Sequence, residues 1–222
     1  MKILVVGSGG REHAILWKLK ASKKVKKLFC APGNGGIAQI AKCVPIEPTN
    51  IRALSEFAHR NRIDLTVIGP ESSLAAGVVD EFNRRKLKIF GPDKKAARLE
   101  SSKCYSKEFM RKYHIPTAPF RSFSSAAEAI GFCRVLQFPT VIKADGLAAG
   151  KGVVIAHSYD EAVAAIERIM FKGVLGSAGD KIVIEACQTG PEVSLLTVTD
   201  GKTILPLLSS QDHKRAFDGD KG

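Results

Sequence analysis

From the first residues onward, short apolar runs alternate with helical stretches, and each early run ends in a small-residue turn. Ile3–Val6 reads as a buried strand closing on Gly7. Ala14, Ile15, Leu16, Trp17 and Leu19 give the next stretch an apolar helical side. Further strands are expected at 28–30, 43–46, 65–68 and 87–90. Between them Ile51, Leu54, Phe57 and Ala58 recur at helical spacing. Strand–helix alternation of this kind requires a parallel sheet covered on both faces. Right-handed crossovers then bring the strands' C-terminal ends, and their loops, to one edge.

The texture changes near residue 100. Residues 93–113 read as polar and helical, and Ile115-Pro116-Thr117 stops them. Strands follow at 140–144 and 153–156, joined by a glycine-rich loop. A helix over about 158–170 starts on the capping box Ser158-x-x-Glu161, and strand-like runs follow at 182–185, 193–198 and 203–208. Strands joined across short turns predict an antiparallel α+β unit. The last residues, Asp218 to Gly222, open a polar loop without a closing element, so the sequence is expected to be truncated.

The formal net charge of +12 raises the question of nucleic acid. Much of the excess lies in Lys18, Lys20, Lys23, Lys24, Lys26 and Lys27, with no aromatic residues interleaved for base stacking. A solvated face is the expected reading, with no nucleic-acid partner, and a positive field also favours a phosphate-bearing substrate. Cys30, Cys43, Cys104, Cys133 and Cys187 form no C-x-x-C pair, which gives zinc and thioredoxin-like chemistry no support. Their odd, scattered set suits reduced thiols in the cytoplasm. No apolar run is long enough for a membrane span.

Gly7-Ser8-Gly9-Gly10-Arg11-Glu12-His13 joins the first strand to the first helix. Small residues let the backbone approach a phosphate, and a helix start offers unpaired N–H groups. A dinucleotide site is disfavoured twice: Glu12 takes the place of the third glycine, and Ala31-Pro32-Gly33-Asn34 follows the second strand where a ribose-binding acid belongs. A phosphate on a small sugar suits the loop better. Gly33-Asn34-Gly35-Gly36 and Gly69-Pro70-Glu71 should join it at the same sheet edge. Glu71 either accepts hydrogen bonds from ribose hydroxyls or an amine, or stabilises the start of the following helix.

The strongest local signal is Ile142-Lys143-Ala144-Asp145-Gly146-Leu147-Ala148-Ala149-Gly150-Lys151-Gly152-Val153. It is strand–loop–strand and lacks the spacing of a P-loop. Such a loop can fold over polyphosphate and exclude water while Lys143 supplies fixed charge. Lys143 sits in an apolar strand, where an ammonium without an anionic partner is costly.

Together these loops and Ser210-Gln211-Asp212-His213-Lys214-Arg215 resemble, in order and over the whole chain, the phosphoribosylamine–glycine ligases (glycinamide ribonucleotide synthetases) of the ATP-grasp superfamily. The resemblance implies a Rossmann-like parallel-sheet N-terminal (pre-ATP-grasp) domain over 1–102 and a partial α+β ATP-grasp domain over 103–222, with a lid subdomain at about 118–187. The family joins glycine to 5-phosphoribosylamine with ATP, through glycyl phosphate, in de novo purine biosynthesis, and uses Mg2+ or Mn2+.

By the same resemblance, Lys103 and Lys143 touch the nucleotide phosphates, and Gly146, Gly150, Lys151 and Gly152 belong to the mobile loop over them. Glu185 lies on the strand that binds adenine, partly through backbone, and Glu192 on the ATP ribose. Asp212, His213, Lys214 and Arg215 line the glycine and ribose-phosphate end, with Lys143, Asp212, Lys214 and Arg215 as the catalytic set. Gly9, Gly10, Arg11, Asn34, Gly35 and Glu71 form the phosphoribosylamine site. Ala186 and Pro191 stand where family members often carry acids. No metal ligand is expected in this chain; the family's lie beyond Gly222. The chain alone is thus expected to be an inactive fragment, and a cytoplasmic monomer. The competing readings are another ATP-grasp ligase of purine biosynthesis, a non-catalytic ATP or sugar-phosphate binding module, and a nicotinamide-dependent oxidoreductase.

Overall fold

A computed structural model describes residues 1–148, 150–212 and 217–219. Five strands, β1 (Lys2–Gly7), β2 (Lys27–Pro32), β3 (Lys42–Cys43), β4 (Leu65–Ile68) and β5 (Ile89–Phe90), form one parallel sheet in the order β3-β2-β1-β4-β5. The period of two along β1 explains why it is central. Leu4 and Val6 enter one apolar layer with Phe29, Leu54 and Phe82, while Ile3 and Val5 enter the other with Leu16, Leu28 and Ile37. Both layers are needed, because a parallel strand buried on two faces has no solvent side.

Helices α1 (Gly10–Lys20), α2 (Ile51–Asn61), α3 (Glu71–Ala76) and α4 (Val78–Arg84) connect these strands. On α1 the inward stripe is Glu12, Leu16 and Leu19, at i, i+4 and i+7. Trp17, expected on the apolar side, is 67% exposed, because it lies about 100° around the helix from Leu16. The helix expected after Glu71 is two short ones, because Gly77 at φ +94 breaks it.

The polar stretch expected as one helix is two, α5 (Arg98–Ser101) and α6 (Lys103–Lys112). Ser102 is extended between them, and its hydroxyl accepts from the Tyr105 N–H at 3.1 Å, capping α6. Beyond α6 come β6 (Phe120–Phe123), α7 (Ala126–Cys133), β7 (Thr140–Ala144), β8 (Val153–Ala156), α8 (Tyr159–Ile166) and β9 (Ile182–Ala186). The four strands make an antiparallel sheet ordered β6-β9-β7-β8. Ser158 caps α8 as its sequence implies, and a single π turn, Glu167–Phe171, extends it.

This sheet has two unlike faces. Ile142, Ala144, Ile182 and Ile184 pack with α7 and α8 in an apolar layer. The alternate residues Lys143, Val183 and Glu185 point the other way, toward α6. Residues 1–186 form one compact unit. Residues 187–222 form a second, in which β10 (Thr197–Thr199) and β11 (Ile204–Pro206) pair as an antiparallel hairpin, with a further bridge between Ser194 and Ser210. No helix among the described residues is long and apolar enough to cross a membrane.

Candidate functional site

The C-terminal ends of β1, β2 and β4 bring three loops together, as strand order requires. Asn34 Nδ2 donates to Ser8 O at 2.7 Å, the Gly33 N–H donates to Gly7 O, and Arg11 donates to Gly69 O at 2.6 Å. Arg11 also pairs with Glu71 at 3.1 Å, with both side chains substantially exposed. Glu71 is the first residue of α3, so it stabilises that helix start and faces the loops at once. Asn34 is doubly used, since its Oδ1 accepts from the Ile37 N–H. Gly10 and Gly35 have open space where a Cβ would stand, whereas Gly9 is close to Glu12 Oε2.

Glu12 is the residue that sequence reading missed here. It is 5% exposed and accepts from the Gly9 N–H at 2.7 Å. Its carboxylate fills the space above Gly7 and Gly69: a Cβ on Gly69 would lie 1.9 Å from Oε1. The acid that broke the dinucleotide fingerprint is therefore a structural plug between the loops that follow β1 and β4. Its signal was the i, i+4 spacing to Leu16, which puts it on the buried side of α1.

In the second sheet, register places Lys143 between Val153 on β8 and Val183 on β9. These three, with Leu99, Glu100, Lys103, Ser106, Lys107 and Met110, line a cavity of about 230 Å³. Lys103 and Lys107 stand one helical turn apart on α6 and so share a face. The wall thus combines three ammonium groups with an apolar strip. Phosphates suit the first, and a purine base suits the second.

The glycine loop is fastened to α6. Asp145 Oδ1 accepts from the Ser102 hydroxyl at 2.9 Å and the Cys104 N–H at 2.7 Å, and Asp145 O accepts from the Lys103 N–H. Lys103 Nζ donates to Gly146 O at 3.1 Å. Gly146 must lack a side chain, because a Cβ would meet Ala178 Cα at 2.8 Å. Gly152 is similarly confined by Ala148 and Ala144, while Gly150 holds φ +79 in open space. A second cavity of about 480 Å³ lies against this loop, lined by Leu147, Ala148, Gly150 and Gly152 on one side and Glu71 and Ser72 on the other. The two cavities share Glu100, Lys103 and Val153. Lys151 is exposed and lines neither.

Lys143 has an anionic partner inside the protein. Its Nζ pairs with Glu185 Oε1, and Lys107 Nζ pairs with Glu185 Oε2. This corrects the argument that a lysine in this strand needs a bound phosphate to offset its burial. Glu185 is 7% exposed. Burial alone would raise its carboxyl pKa, but the hydrogen bonds from Lys107 and Lys143 prevail and hold it below the usual value. Glu192 and Asp212 are exposed in the 187–222 unit. His213, Lys214 and Arg215 lie outside the described residues. Among the described residues no three Asp, Glu, His or Cys side chains converge as a metal site would need. A recess of about 720 Å³ lies on α2 and α4 and holds none of the expected site residues. Of its acids, Asp80 and Glu81, Glu81 is already paired with Arg84 and Arg85.

Two family models cover the chain: "Phosphoribosylglycinamide synthetase, N domain" over residues 1–100, and "Phosphoribosylglycinamide synthetase, ATP-grasp (A) domain" over 101–222. A phosphoribosylamine–glycine ligase of Clostridium acetobutylicum is 51% identical over all 222 residues, which cover 53% of that protein. The same enzyme from Neisseria meningitidis serogroup A is also 51% identical, with 52% of it covered. The crystal structure of phosphoribosylamine–glycine ligase from Thermotoga maritima superposes with a TM-score of 0.79 at 33% identity, over all of this chain and 53% of that one. A biotin carboxylase domain of Hydrogenobacter thermophilus, solved with MgADP, has the same fold at a TM-score of 0.73 and 16% identity, over 94% of this chain and 49% of that one. The chain spans about half the length of the curated relatives it matches.

Proposed function

This chain belongs to the phosphoribosylglycinamide synthetase family, and on that premise we propose that it carries the sugar-phosphate-binding and ATP-binding parts of a ligase joining glycine to 5-phosphoribosylamine. The observation that carries the proposal is the convergence of Lys103 and Lys143 on a cavity beside the glycine loop. The nucleotide's phosphates lie against these lysines, and its base lies along Leu99, Met110, Val153 and Val183. Fixed cations in a partly closed site stabilise charge where it develops, without reorganising at the moment of reaction.

In the reaction, the glycine carboxylate attacks the γ-phosphate, releasing ADP. The phosphoribosylamine nitrogen then attacks the resulting acyl phosphate and expels phosphate. The second cavity, which runs from the glycine loop to Glu71, holds the acceptor end of that sequence. The residues of the loop keep water from the acyl phosphate. Gly10 and Gly35 leave room for the 5-phosphate, and the N-terminus of α1 attracts it. Among the described residues no cluster of acids is placed to hold magnesium by itself.

We further propose Ser102 as the junction between the sugar-phosphate domain (1–102) and the ATP-grasp domain (103–222), with the lid at about 118–187. Ser102 is the extended residue that separates α5 from α6. The five cysteines are unpaired, which suits the cytoplasm as the proposed location.

The test is ADP release by the whole protein with ATP and magnesium. Release that needs both glycine and 5-phosphoribosylamine is expected. Release that needs neither, or that needs bicarbonate instead, would assign the fold to a different ATP-grasp reaction.

A further inference from the structure

Lys107 is a buried lysine for which neither the sequence nor the proposed reaction supplies a role. Its side chain is 11% exposed. It donates to Thr117 Oγ1 at 2.7 Å and pairs with Glu185, and its Nζ lies 5.5 Å from the Phe120 ring centroid. These contacts fix the ammonium from three elements: the segment after α6, β9 and β6. Glu185 is thereby gripped from both sides, by Lys107 on one oxygen and by Lys143 on the other.

One carboxylate shared by two ammonium groups leaves one positive charge over. Thr117 and Phe120 hold Lys107 on the buried side, while Lys143 is the more exposed of the pair, at 29%. We propose that Lys107 is a positioning residue for Lys143, acting through Glu185: it offsets the carboxylate's charge so that Lys143 is oriented by Glu185 without being neutralised by it. A single Lys143–Glu185 pair would orient the lysine equally well but present no net charge to a polyphosphate. The triad does both. The inference rests on the nucleotide site proposed above.

The experiment is titration of ATP into the protein by calorimetry, with thermal melting of each variant as the control for folding. Binding by the wild type tests the site itself; the pattern among variants tests Lys107. Lys107→Met should weaken ATP by about ten- to a hundred-fold, as expected on losing a charge in a partly buried site. The double variant Lys107→Met with Glu185→Gln restores one net positive charge beside the cavity. It should bind ATP within about five-fold of wild type, a non-additive recovery that a merely structural lysine would not produce. Lys107→Arg should retain binding. Should Lys107→Met fail to fold, the double variant alone decides. Affinity near wild type supports the proposal. A folded double variant as weak as or weaker than Lys107→Met would overturn it, since Lys107 would then be touching the nucleotide itself. Wild-type affinity in folded Lys107→Met would overturn it as well.

Discussion

The hydroxyl of Ser102 donates to Asp145 Oδ1 at 2.9 Å, across 43 residues of sequence, and so ties the start of α6 to the start of the glycine loop. The same oxygen accepts from the Cys104 N–H. One carboxylate therefore sets where Lys103 stands relative to Gly146. Asp145→Ala removes the acceptor for two donors, and stability should fall by about 1–3 kcal/mol. A lowered melting temperature together with weaker ATP binding is expected. Melting and binding both unchanged would mean that the loop is positioned by other contacts.

Gly69 and Gly10 should respond oppositely to added side chains. At Gly69 a Cβ collides with the buried Glu12 carboxylate, so Gly69→Ala should cost about 1–3 kcal/mol in urea unfolding. At Gly10 nothing lies within 4 Å of the added atom. Gly10→Val should leave stability within about 0.5 kcal/mol of wild type. In the whole protein it should raise the KM for phosphoribosylamine far more than that for ATP. Equal rises in both would remove Gly10 from the sugar-phosphate site.

Acid should reveal the coupling at Glu185. Its carboxyl is held below the ordinary value of 4.5, so its contribution to stability is fully present above 4.5 and is lost as pH falls through the lower folded value. Glu185→Gln lacks that contribution. The stability gap between wild type and variant should be widest near neutral pH and narrow as pH falls below the ordinary value of 4.5. A gap independent of pH would show that the loss is one of packing rather than charge.

Two thiols should resist alkylation. Burial first, then the charges of Cys43 and Glu12, push Cys30 up to about 12, and burial pushes Cys104 to about 11. At about pH 8 both remain thiols and react poorly. Peptide mapping after iodoacetamide should show each labelled at least about a hundredfold more slowly in the folded than in the denatured chain. Rapid labelling of Cys30 in the folded protein would contradict the packing against β1.

Most of the parallel sheet was legible because β1, β2, β4 and β5 are apolar runs that end at glycine, whereas β3, expected at 43–46, is only Lys42–Cys43. The antiparallel sheet was only partly legible. The alternation around Lys143 announced β7, but Phe120-Arg121-Ser122-Phe123 carries too little apolar character to announce β6. The helical reading of 93–113 missed the break at Ser102, whose extended backbone is stabilised by Asp145, a partner no local pattern contains. At the candidate site, Lys143 was singled out by its apolar strand and glycine loop, and Lys103 by the family resemblance. Lys107 and Glu12 were not, because their importance comes from what they meet in space: a carboxylate 78 residues away on β9 and a pair of glycines on separate loops.

The central claim is that Lys143 contributes the charge that holds ATP in the cavity beside α6. Lys143→Ala is well suited to test it, because Glu185 keeps Lys107 as its partner and the fold is not left with an unpaired buried carboxylate. The measurement is calorimetric titration of ATP into wild type and Lys143→Ala, with melting curves for both. The account predicts a preserved melting transition and an affinity lower by about a hundredfold. A folded Lys143→Ala protein that binds ATP as tightly as wild type would contradict it.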